Sequence, residues 1–121
     1  MAEVARACDG VDLAARGVTL GALVGVLADA ALLVTNDTGP RHIAIGVATP
    51  VVALFGPTDH RFTAIPGARE RRLLAEPFLP EEAVADRRPE ACRIDRIEVG
   101  DVVHASHVLL DRGRSAAKGA P

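Results

Sequence analysis

Two unbroken apolar runs, ALLVT (Ala31–Thr35) and PVVALF (Pro50–Phe55), constrain the fold more than any other feature of this chain. Neither alternates apolar with polar residues, so neither suits a sheet with one wet face. A strand written this way is covered on both sides, which points to a parallel sheet between layers of helices. The flanking segments supply the helices. Thr19 is a fitting N-cap, and Leu20, Leu23, Val24, Leu27 and Ala28 follow it at helical spacing as one apolar face. Gly21 and Gly25, one turn apart, would let that helix approach a neighbour closely. A second helix is expected from Pro40 through Val47, since proline lacks the N–H that a first helical turn leaves unpaired anyway. Glu3–Cys8 reads as the end of a short helix and VDLAA (Val11–Ala15) as a short strand. Strand, helix, strand, helix, strand from Val11 to Phe55 is the βαβ rhythm of an α/β fold.

Beyond Phe55 the pattern loosens. Pro57–Arg96 is polar and rich in proline and arginine, and reads as mostly loop with short elements, with RERR (Arg69–Arg72) a solvated run. Val99, Val102, Val103, Ser106, Leu109 and Leu110 return to helical spacing. Asp111–Pro121 is expected to be a disordered tail. With aromatics at 2% and no Trp or Tyr, the core must be built from Ala, Val, Leu and Ile. A net charge of −2 provides no positive field to recruit nucleic acid, and no aromatic residues interleave with a basic groove to stack bases. Cys8 and Cys92 lack CxxC spacing and read as buried free thiols. The N-terminal decad is too polar for a signal peptide. The longest apolar stretch, Val18–Val34, is broken by Gly21, Gly25 and Asp29, which argues against a membrane span. A cytoplasmic protein is the expectation.

The chemistry concentrates in two loops. Ligands of open parallel sheets bind at the carboxyl ends of strands, and here consecutive strands end in NDTGP and FGPTD. A helix starting at Pro40 would direct its free N–H groups and positive dipole end at such a crevice, which favours an anion. Gly39 lets a phosphate approach the backbone, Thr38 adds a hydroxyl, and His42 adds an imidazole from the first turn. Asp37 would repel a phosphate. It fits better as an acceptor for sugar hydroxyls or as a residue orienting the loop. Taken singly, each has an ordinary explanation, because Asn-Asp-Thr-Gly is a common turn and a histidine there can simply cap or pack. His104 and His107, at i and i+3 on the last helix, read as a solvated face with no third metal ligand. The two loops in succession are more specific than either alone.

NDTGPRHIAIGVATPVVALFGPTD (Asn36–Asp59) resembles the donor-binding signature of glycosyltransferase family 9, which contains the ADP-heptose:lipopolysaccharide heptosyltransferases. That signature runs approximately N-D-T/S-G-x-x-H-x-A-A-A-L-G-x-P-V-V-A-L-F/Y-G-P-T. VTLGALVGVLADAALLVT before it and ACRIDRIEVGDVVHASHVLL after it are similar more weakly. The resemblance implies the GT-B architecture of two Rossmann-like domains with the active site between them. Residues 1–110 would be part of the C-terminal, donor-binding domain, and 111–121 the tail.

By similarity, Thr38 and Gly39 contact the donor's diphosphate, Asp37 its sugar, and His42 lies in the same pocket. Gly56, Pro57 and Thr58 form the facing wall, and Glu3 is set against a glutamate that contacts the ribose. The implied reaction is inverting transfer of a sugar from a nucleotide diphosphate sugar to a hydroxyl of a glycolipid or glycan acceptor in cell-envelope synthesis. It needs no cofactor and no metal. The full enzyme would be cytoplasmic, peripheral at the inner face of the membrane.

Three departures stand out. Arg41 occupies a usually apolar or small position, where it would add charge near the phosphates or point to solvent. Ala48 replaces a helix-ending glycine, and His60 a frequent proline. The first strands of the donor domain, the acceptor domain and its general base have no counterpart here, so a fragment inactive on its own is expected. Its alternative is a non-catalytic nucleotide-sugar-binding or interaction module that self-associates or pairs with an N-terminal half. A nucleotide-sugar epimerase of similar fold would not explain FGPTD following NDTGP.

Overall fold

The computed structural model describes residues 2–57, 60–76, 80, 90 and 92–119. Its elements in chain order are α1 (Ala2–Ala7), α2 (Leu20–Asp29), β1 (Leu33–Asn36), α3 (Gly39–Gly46), β2 (Val51–Phe55), β3 (Glu70–Leu74), a 3-10 turn (Ile94–Arg96) and α4 (Val99–Lys118). The strands form one parallel sheet in the order β1-β2-β3, with Leu33 opposite Val51 and Val51 opposite Glu70. The central strand β2 is the apolar run PVVALF, and it is covered on both faces as its pattern requires. Val51, Ala53 and Phe55 join Leu27 of α2 and Ala44 of α3 in one core layer. Val52 packs on the other face with Ala105 and Leu109 of α4. The fold is therefore α/β, a three-stranded parallel sheet with flanking helices.

The helix starts follow the sequence signals. Thr19 caps α2, its side-chain oxygen accepting from the Ala22 N–H at 3.2 Å. Pro40 sits in the first turn of α3, behind the N-cap Thr38. The apolar stripe of α2 is longer than the core it meets: Leu27 is buried, whereas Leu20 is 70% exposed. A Cβ placed on Gly21 or Gly25 would meet nothing within 4 Å, so these glycines mediate no close approach.

Four expectations are corrected. Val11–Ala15 is not a strand: Asp12 Oδ1 accepts the Ala15 N–H at 3.1 Å, and the bend is completed at Gly17 with φ 63°. RERR is not a solvated run throughout: Glu70–Leu74 is strand β3, a short element of this stretch, because Glu70 finds a buried cationic partner and Leu73 and Leu74 pack against the core. The exposed Arg71 and Arg72 leave β3 a charged edge, which discourages pairing with another sheet. Helix α4 continues through Lys118, so Asp111–Lys118 is helix and not a disordered tail. Both thiols are exposed, not buried: Cys8 lies just past α1, donating to the Val4 carbonyl, and Cys92 lies outside both core clusters. Among the described residues no helix is long and apolar enough to cross a membrane.

Helix α3 ends in a paired-carbonyl turn. The Ala48 N–H donates to Ile45 O at 3.1 Å and the Thr49 N–H to Ala44 O at 2.9 Å, with Ala48 left-handed at φ 63°. That conformation suits glycine, and an alanine there costs on the order of 1 kcal/mol. Ala48→Gly is expected to stabilise the chain by about 0.5–1 kcal/mol, since glycine's larger unfolded-state entropy offsets part of the relief. A thermal or urea melt that moves downwards would contradict this.

Candidate functional site

Strands β1 and β2 run parallel, with Asn36 opposite Leu54, so the loops that leave them open at the same edge of the sheet. The first loop enters α3 directly. Thr38 is extended (φ −141°, ψ 177°) as the N-cap, and its side chain makes no capping bond. Its hydroxyl lies 3.5 Å from that of Thr35. The Thr38 N–H donates to Asn36 O at 2.9 Å and the Arg41 N–H to Thr38 O at 3.1 Å. Because Pro40 has no N–H, Gly39 carries the one opening amide of this turn with no partner among the described residues. A Cβ on Gly39 would meet nothing within 4 Å, so its surface is open.

Arg41 does not point to solvent; it is fully buried beneath the loop. Its guanidinium makes four hydrogen bonds: Nε to Glu70 Oε1 (2.5 Å), Nη2 to Glu70 Oε2 (2.9 Å) and to Thr63 O (2.9 Å), and Nη1 to Asp37 Oδ1 (3.0 Å). It also lies 5.3 Å from the centre of the Phe55 ring, a cation–π distance. The hydrogen bond to Glu70, helped by the charges of Glu70 and Asp37 and opposed by burial, holds its pKa above the ordinary arginine value. Thr63 donates its hydroxyl to Asp37 Oδ2 at 3.1 Å, so protein groups engage both Asp37 oxygens. His42 stands at the lip, its side chain 48% exposed and Nε2 3.7 Å from Asp37 Oδ1.

The second loop supplies Gly56, buried, and Pro57, half-buried. Thr58 lies outside the described residues. Glu3 is exposed on α1. Cys92 Sγ occupies the space beside Gly56, 2.7 Å from where a Cβ would be. Gly56→Ala is therefore expected to destabilise by about 1 kcal/mol, the cost of turning the thiol aside, and Gly56→Ala/Cys92→Ala to recover it; equal melts for both variants would contradict the contact. His60, in place of the proline, packs edge-on to Phe55 with centroids 6.0 Å apart and takes a contact of 3.1 Å from Arg72 Nη1 to Nδ1.

The loops at Asp37–Gly39 and Gly56–Pro57 and the side chain of His42 are thus collected at one end of the sheet. The residues that the sequence alone does not reveal are Glu70 and Thr63. Each lies more than twenty positions from its partner, with no local pattern to mark it.

The sequence profile described as glycosyltransferase family 9 (heptosyltransferase) matches residues 1–88. The chain belongs to this family. A family 9 glycosyltransferase from Veillonella parvula DSM 2008 superposes with a TM-score of 0.66 at 27% identity, over 78% of this chain and 28% of that one. Lipopolysaccharide heptosyltransferase 3 of Escherichia coli K12 is 44% identical over 65 residues, 50% of this chain and 18% of the relative. Lipooligosaccharide heptosyltransferase 2 of Haemophilus influenzae is 43% identical over 44 residues, 36% of this chain and 13% of the relative. This family 9 chain thus spans less than a fifth of the heptosyltransferases it matches.

Proposed function

We propose that the chain is the donor-binding part of a GT-B heptosyltransferase and holds the diphosphate of a nucleotide diphosphate sugar at the start of α3. One observation carries the reading: the loops after β1 and β2 open at the same sheet edge, with Gly39 bare and the Thr38 hydroxyl uncommitted to capping. In the reaction of the whole enzyme, a base takes the acceptor's hydroxyl proton as that oxygen attacks the anomeric carbon. The bond from that carbon to the diphosphate oxygen breaks with inversion. Negative charge grows on the departing diphosphate, where the Gly39 N–H, the positive end of α3 and the Thr38 hydroxyl would stabilise it. Asp37 would accept from sugar hydroxyls, His42 would line the same pocket, and Gly56, Pro57 and Thr58 would wall it. The acceptor is a glycolipid or glycan of the cell envelope, reached from the cytoplasmic side.

The resemblance assigns the base to an acceptor domain to which none of these residues corresponds, so the chain on its own binds without turnover. An amide-resolved NMR titration with ADP, UDP and GDP tests the reading. Gly39, His42 and Gly56 are expected to shift with one of them. Silence of all three amides at millimolar nucleotide would sink it, and transfer of sugar by the isolated chain would refute the claim of inactivity.

A partner-dependent module is the second reading, supported by the outer edge of β1, open among the described residues, and by apolar side chains such as Leu20 (70% exposed) and Val34 (45%). Light scattering on the purified chain separates the two: a monodisperse monomer argues against it.

A further inference from the structure

We infer that Arg41, with Glu70 behind it, is a positioning residue: it fixes the Asp37 carboxylate at the lip of the cleft so that Asp37 reads the sugar of the donor. This rests on the donor-binding reading above. A carboxylate at a loop tip is ordinarily free to turn, and a turning acceptor discriminates poorly between hydroxyls because its orientation must be fixed on binding. Here the freedom is gone. Arg41 Nη1 donates to Oδ1 at 3.0 Å and Thr63 Oγ1 to Oδ2 at 3.1 Å. Arg41 itself cannot move, being fully buried, forked onto both oxygens of Glu70, bonded to the Thr63 carbonyl and laid over Phe55. Glu70 lies on β3, so the carboxylate at the end of β1 is referenced to a strand across the sheet. Asp37 remains 19% exposed, and each of its oxygens has acceptor capacity beyond the bonds named.

The same pairing answers the objection that an acid beside a diphosphate repels it. Asp37 is half of an ion pair, and the group of Asp37, Arg41 and Glu70 carries a single net negative charge with its guanidinium between the carboxylates. This also makes possible a variant that separates position from charge. Arg41→Met/Glu70→Leu leaves the group's net charge as it was and removes the fork that holds Asp37.

The test is titration of ADP and of ADP-heptose into the labelled chain, wild type against Arg41→Met/Glu70→Leu. The wild type should bind ADP-heptose more tightly than ADP. The double variant should keep its ADP affinity within about twofold and lose about tenfold for ADP-heptose, the share of one charge-assisted hydrogen bond. Thr63→Val, which leaves the buried ion pair intact, should lose part of the same preference, and it carries the test if the double variant does not fold. A double variant or Thr63→Val that prefers ADP-heptose as strongly as the wild type overturns the positioning role. So does a wild type that binds ADP and ADP-heptose alike. A wild type that binds neither overturns the donor-binding reading itself, and this inference with it.

Discussion

Replacing Arg41 by Met is expected to destabilise the chain by about 3–5 kcal/mol, the usual consequence of removing one partner of a buried ion pair. The side chain is fully buried and Glu70 is 4% exposed. Deleting the guanidinium therefore leaves a carboxylate that water barely reaches, with the looser contact of Arg72 Nε at 3.5 Å as its remaining ion pair among the described residues. The Thr63 carbonyl and Asp37 Oδ1 lose a donor at the same time. Arg41→Lys should fall between, because an ammonium is a single point charge and cannot reproduce a fork that engages Glu70 twice. Arg41→Met/Glu70→Leu should recover most of the loss, since the pair as a whole contributes far less than either partner's removal costs. The pH dependence has a definite sign. The arginine pKa is raised in the folded state, so its contribution is complete below the ordinary arginine value and is lost only as pH rises through the higher, folded one. Urea midpoints of the wild type should therefore show no loss attributable to Arg41 anywhere from neutral to moderately alkaline pH. A single Arg41→Met variant as stable as the wild type would mean that Arg72 or solvent satisfies Glu70 without the guanidinium.

What the residue pattern reveals of this molecule is set by range. PVVALF could be read as a strand covered twice because burial on both faces removes alternation from the strand itself, and Val51, Val52, Ala53 and Phe55 are all fully buried. Thr19 and Pro40 announced their helices because caps and first-turn prolines act within four residues. Ala48 could be suspected of a left-handed backbone for the same reason, and its φ of 63° bears that out. RERR failed because its meaning is not local. A glutamate among three arginines reads as solvated until Arg41, 29 positions earlier, is brought against it by the parallel pairing of β2 with β3. Arg41 follows the same logic: its position leaves both solvent and the phosphates open, and only Glu70 and Thr63, distant in sequence, show that it is buried. The apolar stripe of α2 misled in the other direction: periodicity marks which face is apolar, not how much of it meets a neighbour, and Leu20 stays exposed.

Phe55→Ala is the second large effect expected, a loss of about 3–5 kcal/mol. Phe55 is fully buried at the end of the central strand, in the layer with Leu27, Ala44, Val51 and Ala53. Truncation removes most of its apolar area and leaves a void that the sheet limits from closing, because the Phe55 backbone is paired with β3. The Ala75 N–H donates to the Phe55 carbonyl at 3.0 Å, and Phe55 stands opposite Leu74 in the ladder. The ring also forms the floor under the site: the Arg41 guanidinium lies 5.3 Å from its centre and His60 meets it edge-on. Phe55→Leu keeps much of the volume and loses the aromatic face, so it isolates that contribution and should cost about 1–2 kcal/mol. The distinguishing measurement is a double-mutant cycle of Phe55→Leu with Arg41→Met. Coupling of about 0.5–1.5 kcal/mol is expected if the ring and the guanidinium stabilise one another. Strict additivity would reduce Phe55 to core filling and remove the link between the hydrophobic layer and the lip of the cleft.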